Sequence, residues 1–275
     1  MTPLMHLYVL ASGSAGNAAV IDGPDGAILI DCGISRKELG RRAADAGANL
    51  DRVQAVFVTH EHGDHVRGIP VLASHTECPF YATAGTAGGG KALLDVPFTL
   101  VSHDDEVDVG GMHVTLFPTS HDVADPFGMR VEVRDDGGAT LDAIGWCTDT
   151  GFLTAEALGA LRDVRILGIE SNHDVEMLRN GPYPAFLRRR VGGEAGHLSN
   201  EQCADALSLL VGDDTETVVA LHLSEKNNRP SVCMRTLAGA LGANLLDGED
   251  GPEARTEDGA ISLCCAHQDR PLVIW

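Results

Sequence analysis

Four possible metal ligands lie within one six-residue segment: His60, His62, Asp64 and His65. They directly follow the apolar run 53–59, whose β-branched residues indicate a buried strand. Because His60 and His62 are two residues apart, both rings can face one ion, while Asp64 and His65 can reach a second. Imidazole and carboxylate groups are ligands of zinc and manganese in proteins. The spacing therefore predicts a metal site on the turn after this strand, rather than a solvated histidine-rich loop.

Further residues of metal-binding types stand where other predicted strands end. Three such residues come soon after strand-like runs: His121 lies three positions after 112–118, Asp149 lies two positions after 143–147, and His222 directly follows 217–221. Upstream, the apolar run 27–30 ends at Asp31.

The motif His-x-His-x-Asp-His, followed in order by these three residues, resembles the metallo-β-lactamase superfamily. The resemblance implies two divalent metal ions, zinc or manganese, with iron as an alternative. It implies this ligand set: His60, His62 and His121 for one ion, Asp64, His65 and His222 for the other, and Asp149 as the bridge. Asp64 would also be catalytic. Asp31 would take a ring N–H from a ligand histidine and fix its tautomer.

A more specific resemblance covers most of the chain. Segments similar to the YycJ/WalJ-type branch of the superfamily are 12–17, 170–174, 180–184, 196–200 and 222–228. This branch is similar to ribonuclease Z and to cyclic-phosphate phosphodiesterases. It implies a 5′-to-3′ DNA exonuclease that uses a metal-bridging hydroxide. The weakest matches are 84–111 and the residues beyond about 243.

Candidates outside the ligand set lie in these similar segments. His197 can protonate the leaving oxygen or bind a phosphate oxygen, and it is predicted to be catalytic; an exposed histidine in a capping loop is the alternative. His173 is a candidate for binding substrate, and a purely structural role for it is equally consistent with the sequence. Ser14 and Asn17 can donate hydrogen bonds to phosphate or simply form a tight turn. Asn228 can line the site or cap the following helix.

The net negative charge of the chain is the main argument against a nuclease function. The chain has 20 basic and 40 acidic residues, for a formal charge of −20. Phosphate contacts require lysine and arginine, so a broad nucleic-acid-binding surface is disfavoured. Two basic clusters remain, 36–42 and 188–190. The first is interpreted as a solvated helix face, while the second can follow a phosphate backbone or be solvated in the same way.

Composition and cysteine usage indicate a soluble protein of the cytoplasm. No charged-then-apolar leader and no long apolar stretch occurs in the sequence. The sequence has seven cysteines, which is an odd number, and it has no Cys-x-x-Cys pair. Buried thiols in a reducing compartment are therefore expected, and no membrane partner is predicted.

Strands interleaved with helices predict an α/β protein, a four-layer αββα sandwich in one domain spanning 1–275. Strands at 6–11, 17–22 and 27–31 suggest an antiparallel start. Ser35 with Glu38 predicts a capped helix that Gly47 ends. Other predicted helices are 154–161, 174–190, 199–211 and 231–241, and the last predicted strands are 260–266 and 271–275.

These expectations favour a dinuclear-metal phosphodiesterase acting on nucleic acid, with DNA as the favoured substrate. The alternative is a phosphodiesterase for small cyclic phosphates, which the negative charge supports. Hydrolysis of a lactone, thioester or β-lactam is a further enzyme alternative, for which segment 196–200 has no obvious use. A metal-stabilised partner of a signalling or repair complex is the non-catalytic alternative.

Overall fold

The computed structural model describes residues 3–248 and 251–275. It is mixed α/β with two β-sheets, as the sequence predicts, and it divides into two compact units. The first unit holds the described residues up to Pro118, with Val123–Ala143 and His267–Trp275. The second holds Thr119–Asp122 and Ile144–Ala266. Among the described residues, no helix is long and apolar enough to span a membrane.

The first unit contains a seven-stranded sheet and an antiparallel meander. The sheet is made of these strands: β1 (His6–Ala11), β2 (Ala18–Asp22), β3 (Ala27–Ile30), β4 (Val53–Phe57), β5 (Phe80–Thr83), β6 (Phe98–Val101) and β16 (Leu272–Ile274). Their order is β16-β1-β2-β3-β4-β5-β6, antiparallel up to β3 and parallel from β3 onward. The meander is β7 (Glu106–Val109), β8 (Met112–Pro118) and β9 (Phe127–Arg134).

The helices of the first unit are short, apart from the first. They are α1 (Arg36–Ala46), α2 (Gly63–Val66), α3 (Ile69–Ala73) and α4 (Ala84–Gly89), with 3₁₀ turns at Leu50–Arg52 and Lys91–Leu93. Helix α1 begins where predicted, because the Ser35 side chain accepts a hydrogen bond from the Glu38 N–H, and it ends at Gly47 in the left-handed conformation. Leu39 of α1 packs in the same buried apolar cluster as Val56 and Phe80.

The second unit is built on parallel strands. They are β10 (Thr140–Cys147, which begins in the first unit), β11 (Ile166–Glu170), β12 (Thr217–Leu221) and β15 (Ser262–Cys265). β14 (Gly251–Thr256) pairs antiparallel with β15, and β13 (Ala243–Gly248) pairs antiparallel with β14. The final strands predicted at 260–266 and 271–275 correspond to β15 and β16.

The helices of the second unit are α5 (Ala155–Leu161), α6 (Val175–Asn180), α7 (Ala185–Val191), α8 (Asn200–Leu210) and α9 (Pro230–Leu241). The prediction of one helical segment over 174–190 is wrong, because α6 and α7 are separate helices. Gly181, Pro182 and Pro184 lie between them. Proline has no backbone N–H and disfavours helical conformation in the preceding residue, so a helix ends there.

Parallel pairing brings several candidate residues to the same strand ends. In the first unit Ile30 of β3 pairs with Phe57 of β4, so the residues after each strand emerge at one edge. In the second unit Glu170 of β11 pairs with Leu221 of β12. Loops at the carboxyl ends of parallel strands are common positions for active sites.

Candidate metal centre and active site

His65 and Asp31 form a buried pair in the first unit. The His65 Nδ1–H donates to Asp31 Oδ2 at 2.7 Å, and the His65 side chain is fully buried. Asp31 also accepts hydrogen bonds from the Thr59 backbone N–H and hydroxyl, each at 2.8 Å. These bonds fix the ring orientation and leave Nε2 of His65 as the nitrogen with a lone pair. This is the contact expected of Asp31 from the sequence.

The other candidate ligands of the first unit lie beside His65. The ring centroid of His60 is 4.0 Å from that of His65 and 5.0 Å from that of His62. Asp64 Oδ2 lies 3.8 Å from His65 Nε2. The short helix α2 produces this arrangement, since His62 is its N-cap and Asp64 and His65 lie in its single turn. The four candidate ligands of this six-residue segment are therefore neighbours in space.

The loop between β1 and β2 supports this cluster. The Asn17 backbone N–H donates to the carbonyl of Asp64 at 2.7 Å, and the Asn17 side-chain nitrogen lies 2.9 Å from His65 Nε2. A Cβ on Gly33 would lie 1.5 Å from the Asp64 carbonyl oxygen, so only glycine permits this close approach. Asn17 is buried, whereas Ser14 of the same loop is exposed.

The second unit brings together His121, Asp149 and His222. Asp149 Oδ1 lies 3.7 Å from His121 Nε2 and 3.4 Å from His222 Nδ1. His121 is oriented by its Nδ1, which donates to the carbonyl of Gly196 at 2.8 Å. All three side chains are buried.

Backbone strain is concentrated at the predicted site residues. Among the described residues, the non-glycine residues with positive φ are Asp31 (58°), Asp149 (55°), Asp163 (53°) and His222 (54°). Three of them are residues predicted for the site. Residues other than glycine rarely adopt this backbone conformation, and residues held in it cluster at functional sites.

Glu170 is a central residue that the sequence interpretation did not assign to the site. Its Oε1 accepts hydrogen bonds from Nδ1 of His197 and from Nδ1 of His222, each at 2.9 Å. Its Oε2 accepts from the backbone N–H of Thr150 at 2.9 Å and of Leu198 at 3.2 Å. The side chain is fully buried at the end of β11.

The charge state of Glu170 follows from these contacts. Burial alone would raise the pKa of Glu170, but the charge of His197 and the hydrogen bonds from His197 and His222 lower it to about 2. Glu170 is therefore a carboxylate near neutral pH. It holds both rings with Nδ1 protonated, which leaves the Nε2 atom of a neutral ring able to accept a proton or bind a metal.

His197 differs from the candidate ligands of the second unit in being accessible. Its side chain is 17% exposed, and its Nδ1 lies 3.6 Å from Asp149 Oδ1. The His197 backbone N–H donates to the carbonyl of Val191, and Gly196 before it supplies the carbonyl that orients His121. The structure thus places His197 in a short turn against the buried carboxylates rather than on a solvated loop.

Two other predicted substrate-binding residues of the second unit occupy different surroundings. His173 is buried, and burial lowers its pKa to about 4 although the charge of Glu170 opposes this change. The Asn228 side-chain nitrogen donates to the carbonyls of Ser171 and Asn172, at 2.9 and 3.0 Å. Asn228 therefore links the segment that follows β12 to the segment that follows β11. Any contact that it makes with substrate stays a prediction.

The donor atoms of the second unit fit a divalent metal. One ligand atom from each of four residues lies within 4.8 Å of the other three: Asp149, Glu170, His197 and His222. Asp149 and His222 supply a carboxylate and an imidazole, which zinc and manganese accept, while Glu170 and His197 are hydrogen-bonded beside them. The His60, His62, Asp64 and His65 cluster of the first unit offers the same chemistry, so the residues present fit the metals that the sequence predicts.

Comparison with known proteins agrees with this chemistry. Residues 27–223, well over half of the chain, match the family model described as a beta-lactamase superfamily domain. The chain belongs to the metallo-β-lactamase superfamily. The predicted resemblance is confirmed, and so are the two-sheet α/β fold and the assignment to metal-dependent hydrolases.

Two curated relatives of this superfamily match the chain over most of its length. It is 33% identical over 241 residues to "Exodeoxyribonuclease YycJ" of Bacillus anthracis, which covers 86% of this chain and 89% of the relative. It is 32% identical over 239 residues to "Exodeoxyribonuclease WalJ" of Streptococcus pneumoniae serotype 2, with 85% and 87% covered. Among solved structures, the metallo-β-lactamase fold protein YhfI of Bacillus subtilis matches with a TM-score of 0.67 and 14% identity, covering 98% of this chain and 99% of YhfI. That likeness shows the shared fold.

Proposed function

We propose that this metallo-β-lactamase-fold chain is a dinuclear-metal phosphodiesterase acting on nucleic acid, and specifically a 5′-to-3′ DNA exonuclease. The observation that carries the proposal is the Glu170 carboxylate, which joins a candidate metal ligand, His222, to an accessible non-ligand histidine, His197. Bound metal ions and a group that supplies a proton both promote hydrolysis of a phosphodiester. The two relatives named exodeoxyribonucleases support the choice of DNA.

We propose the ligand set that the superfamily motif implies. It consists of His60, His62 and His121 for one ion, Asp64, His65 and His222 for the other, and Asp149 for both. When bound, two divalent ions would polarise the phosphate and lower the pKa of the attacking water. Zinc or manganese is proposed, with iron as the third option. Asp31 contributes by holding His65 in the tautomer that presents Nε2.

His197 is proposed to protonate the leaving oxygen. Its Nδ1–H is committed to Glu170, so Nε2 is the atom that can carry the transferred proton. The negative charge of Glu170 stabilises the protonated ring of His197. Its hydrogen bond keeps the proton on Nδ1, so the same tautomer is present after each turnover. Asp64 is proposed to accept a hydrogen bond from the attacking water and so hold it in line with the leaving oxygen.

Contacts with the substrate are proposed for Ser14, Asn17, His173 and Asn228. Ser14 has the most accessible position, on the exposed part of the loop between β1 and β2. Asn17 and Asn228 are buried and bonded within the chain, so their first effect is to hold neighbouring backbone in place. We further propose that 1–275 is a single domain and that the protein is cytoplasmic, which its unpaired cysteines support.

The second candidate function is hydrolysis of small cyclic phosphates, and the formal charge of −20 favours it. A small anionic substrate needs few basic contacts, whereas a nucleic-acid strand needs several. Hydrolysis panels distinguish the two functions. Duplex and single-stranded DNA and RNA, labelled at either end, would be tested with manganese or zinc beside a 2′,3′-cyclic nucleotide. Stepwise loss of nucleotides from the DNA 5′ end supports the proposal, and hydrolysis of the cyclic phosphate alone would replace it with the second candidate.

A further inference from the structure

A basic cavity lies in the second unit, next to the turn that carries His197. Its volume is about 690 Å³, and its walls come from α6, α7 and the start of α8. Three arginines line it, Arg179, Arg188 and Arg189, against one acidic residue, Glu201. In a chain with twice as many acidic as basic residues, this local excess of positive charge is unusual.

The arginine run 188–190 is divided by the fold. Arg190 forms an ion pair with Asp122 and is not among the residues lining the cavity. Arg188 donates from Nη1 to the carbonyl of Arg179 at 2.6 Å, which holds its guanidinium at the cavity wall. Arg189 lines the cavity and is exposed. The part of the run that faces the cavity is therefore separate from the part that forms a structural ion pair.

His173, at the inner end of the cavity, connects it to the candidate active site. His173 lines the cavity, and its backbone forms a β-bridge with Ser199, two residues after His197. The His173 residue is 2% exposed, and among the described residues its Nδ1 has no hydrogen-bond partner. A buried polar atom without a partner requires an explanation, and a polar group entering the cavity would provide one.

Exposed aromatic surface accompanies the charge. Phe186 lies on the same helix as Arg188 and Arg189, and 66% of its surface is exposed. Single-stranded nucleic acid is bound by grooves that combine basic side chains with aromatic faces on which bases stack. An acidic peptide would match the charge but would not use an aromatic face in this way.

We infer that this cavity binds the phosphodiester backbone of the nucleic-acid strand on one side of the reacting phosphate. The inference rests on the proposed function and adds the surface that holds the strand. Arg188 and Arg189 contact phosphate oxygens, His173 Nδ1 supplies a polar contact at the inner end, and Phe186 stacks on a base outside the cavity. The net negative charge of the chain disfavours binding of the strand to most other surfaces.

The test compares Arg189→Glu with Arg235→Glu. Arg235 is an exposed arginine of α9 in the same unit, and it does not line the cavity. Binding of a fluorescent, cleavage-resistant phosphorothioate DNA strand to the metal-loaded protein would be measured at several salt concentrations. Arg189→Glu is expected to weaken binding on the order of tenfold and to lower the slope of log K against log salt by about 0.7 for each phosphate that the protein no longer neutralises. Arg235→Glu should stay within about twofold of wild type, and Arg189→Lys should keep most of the affinity.

Three further measurements complete the test. On a cleavable strand, Arg189→Glu should raise KM and leave kcat unchanged, and hydrolysis of bis(p-nitrophenyl) phosphate should be unaffected. Equal losses in the two charge-reversal variants, or wild-type binding by Arg189→Glu, would overturn the inference. Competition by poly-glutamate as strong as that by unlabelled DNA would also overturn it, because the cavity would then bind anions of any kind. Binding through the cavity without any strand cleavage would refute the proposed function and leave the cavity assignment standing.

Discussion

Replacing Glu170 by glutamine tests whether one carboxylate organises the site. The wild-type carboxylate accepts four hydrogen bonds, two from imidazoles through Oε1 and two from backbone N–H groups through Oε2. A glutamine of the same shape has one oxygen, so its NH₂ group must face either the two rings or the two backbone donors. Either way two buried donors lose their acceptor, at about 1–3 kcal/mol each, for a total destabilisation of about 2–6 kcal/mol.

The two orientations of the amide have different consequences for function. If NH₂ faces the rings, His197 and His222 can relieve the clash only by moving their protons to Nε2. His222 then loses the lone pair proposed for a metal, and His197 loses its proton-transfer position. Urea unfolding, metal content and kcat would be measured for Glu170→Gln beside Glu176→Gln, a carboxamide control at a side chain 60% exposed in the same unit. Wild-type stability, metal content and rate in Glu170→Gln would refute the organising role.

The difference in unfolding free energy between wild type and Glu170→Gln should depend on pH in a defined direction. The pKa of Glu170 is lowered from 4.5 to about 2, so its ionised form contributes stability that is complete above about pH 4.5. This contribution is lost as the pH falls toward 2. The difference in free energy of unfolding between wild type and Glu170→Gln should therefore narrow over that interval. A difference that stays constant with pH would show that the charge of Glu170 is not the source of the effect.

Three further changes have expected outcomes. Asp149→Ala should abolish turnover, because the proposed bridge between two cations is lost; near-wild-type rates would show that Asp149 is not the bridge. His197→Ala should keep its metals and lose about 10²–10⁴-fold in rate on DNA, with a smaller loss on a nitrophenyl phosphodiester whose leaving group needs no proton. His173 has a pKa lowered from 6.5 to about 4, so unfolding free energy should fall by up to about 1.4 kcal/mol per pH unit between these values as the solution is acidified. His173→Gln should show a shallower dependence, and an identical slope would count against a buried neutral ring.

Local patterns account for what the sequence predicted well. The segment around His60 joins a buried strand to a dense set of ligand types, so the strand and the closeness of these four side chains follow from neighbouring residues. The capping of α1 by Ser35 and its end at Gly47 depend on residues within one helix. Parallel pairing then sets which strand ends meet, and the order of ligand types along the chain matches the family motif.

Features that depend on distant partners could not be predicted in the same way. Glu170 ends an otherwise apolar strand, and its importance comes from His197 and His222, which are 27 and 52 residues away. A lone carboxylate at the end of a fully buried strand was the available signal. The division of the run 188–190 depends on Asp122, 68 residues from Arg190, and nothing near the run indicates that pair. The break between α6 and α7, in contrast, was visible in Gly181 and its neighbouring prolines.

The most direct test of the central claim is a metal titration of the wild-type protein during strand digestion. Metal-free chain would be titrated with manganese while hydrolysis of DNA labelled at the 5′ or 3′ end is followed. Activity should appear with added metal and reach its maximum at two ions per chain, with nucleotides released in order from the 5′ end. Saturation at one ion per chain, or full occupancy by two ions without cleavage of any strand, would contradict a dinuclear phosphodiesterase acting on nucleic acid.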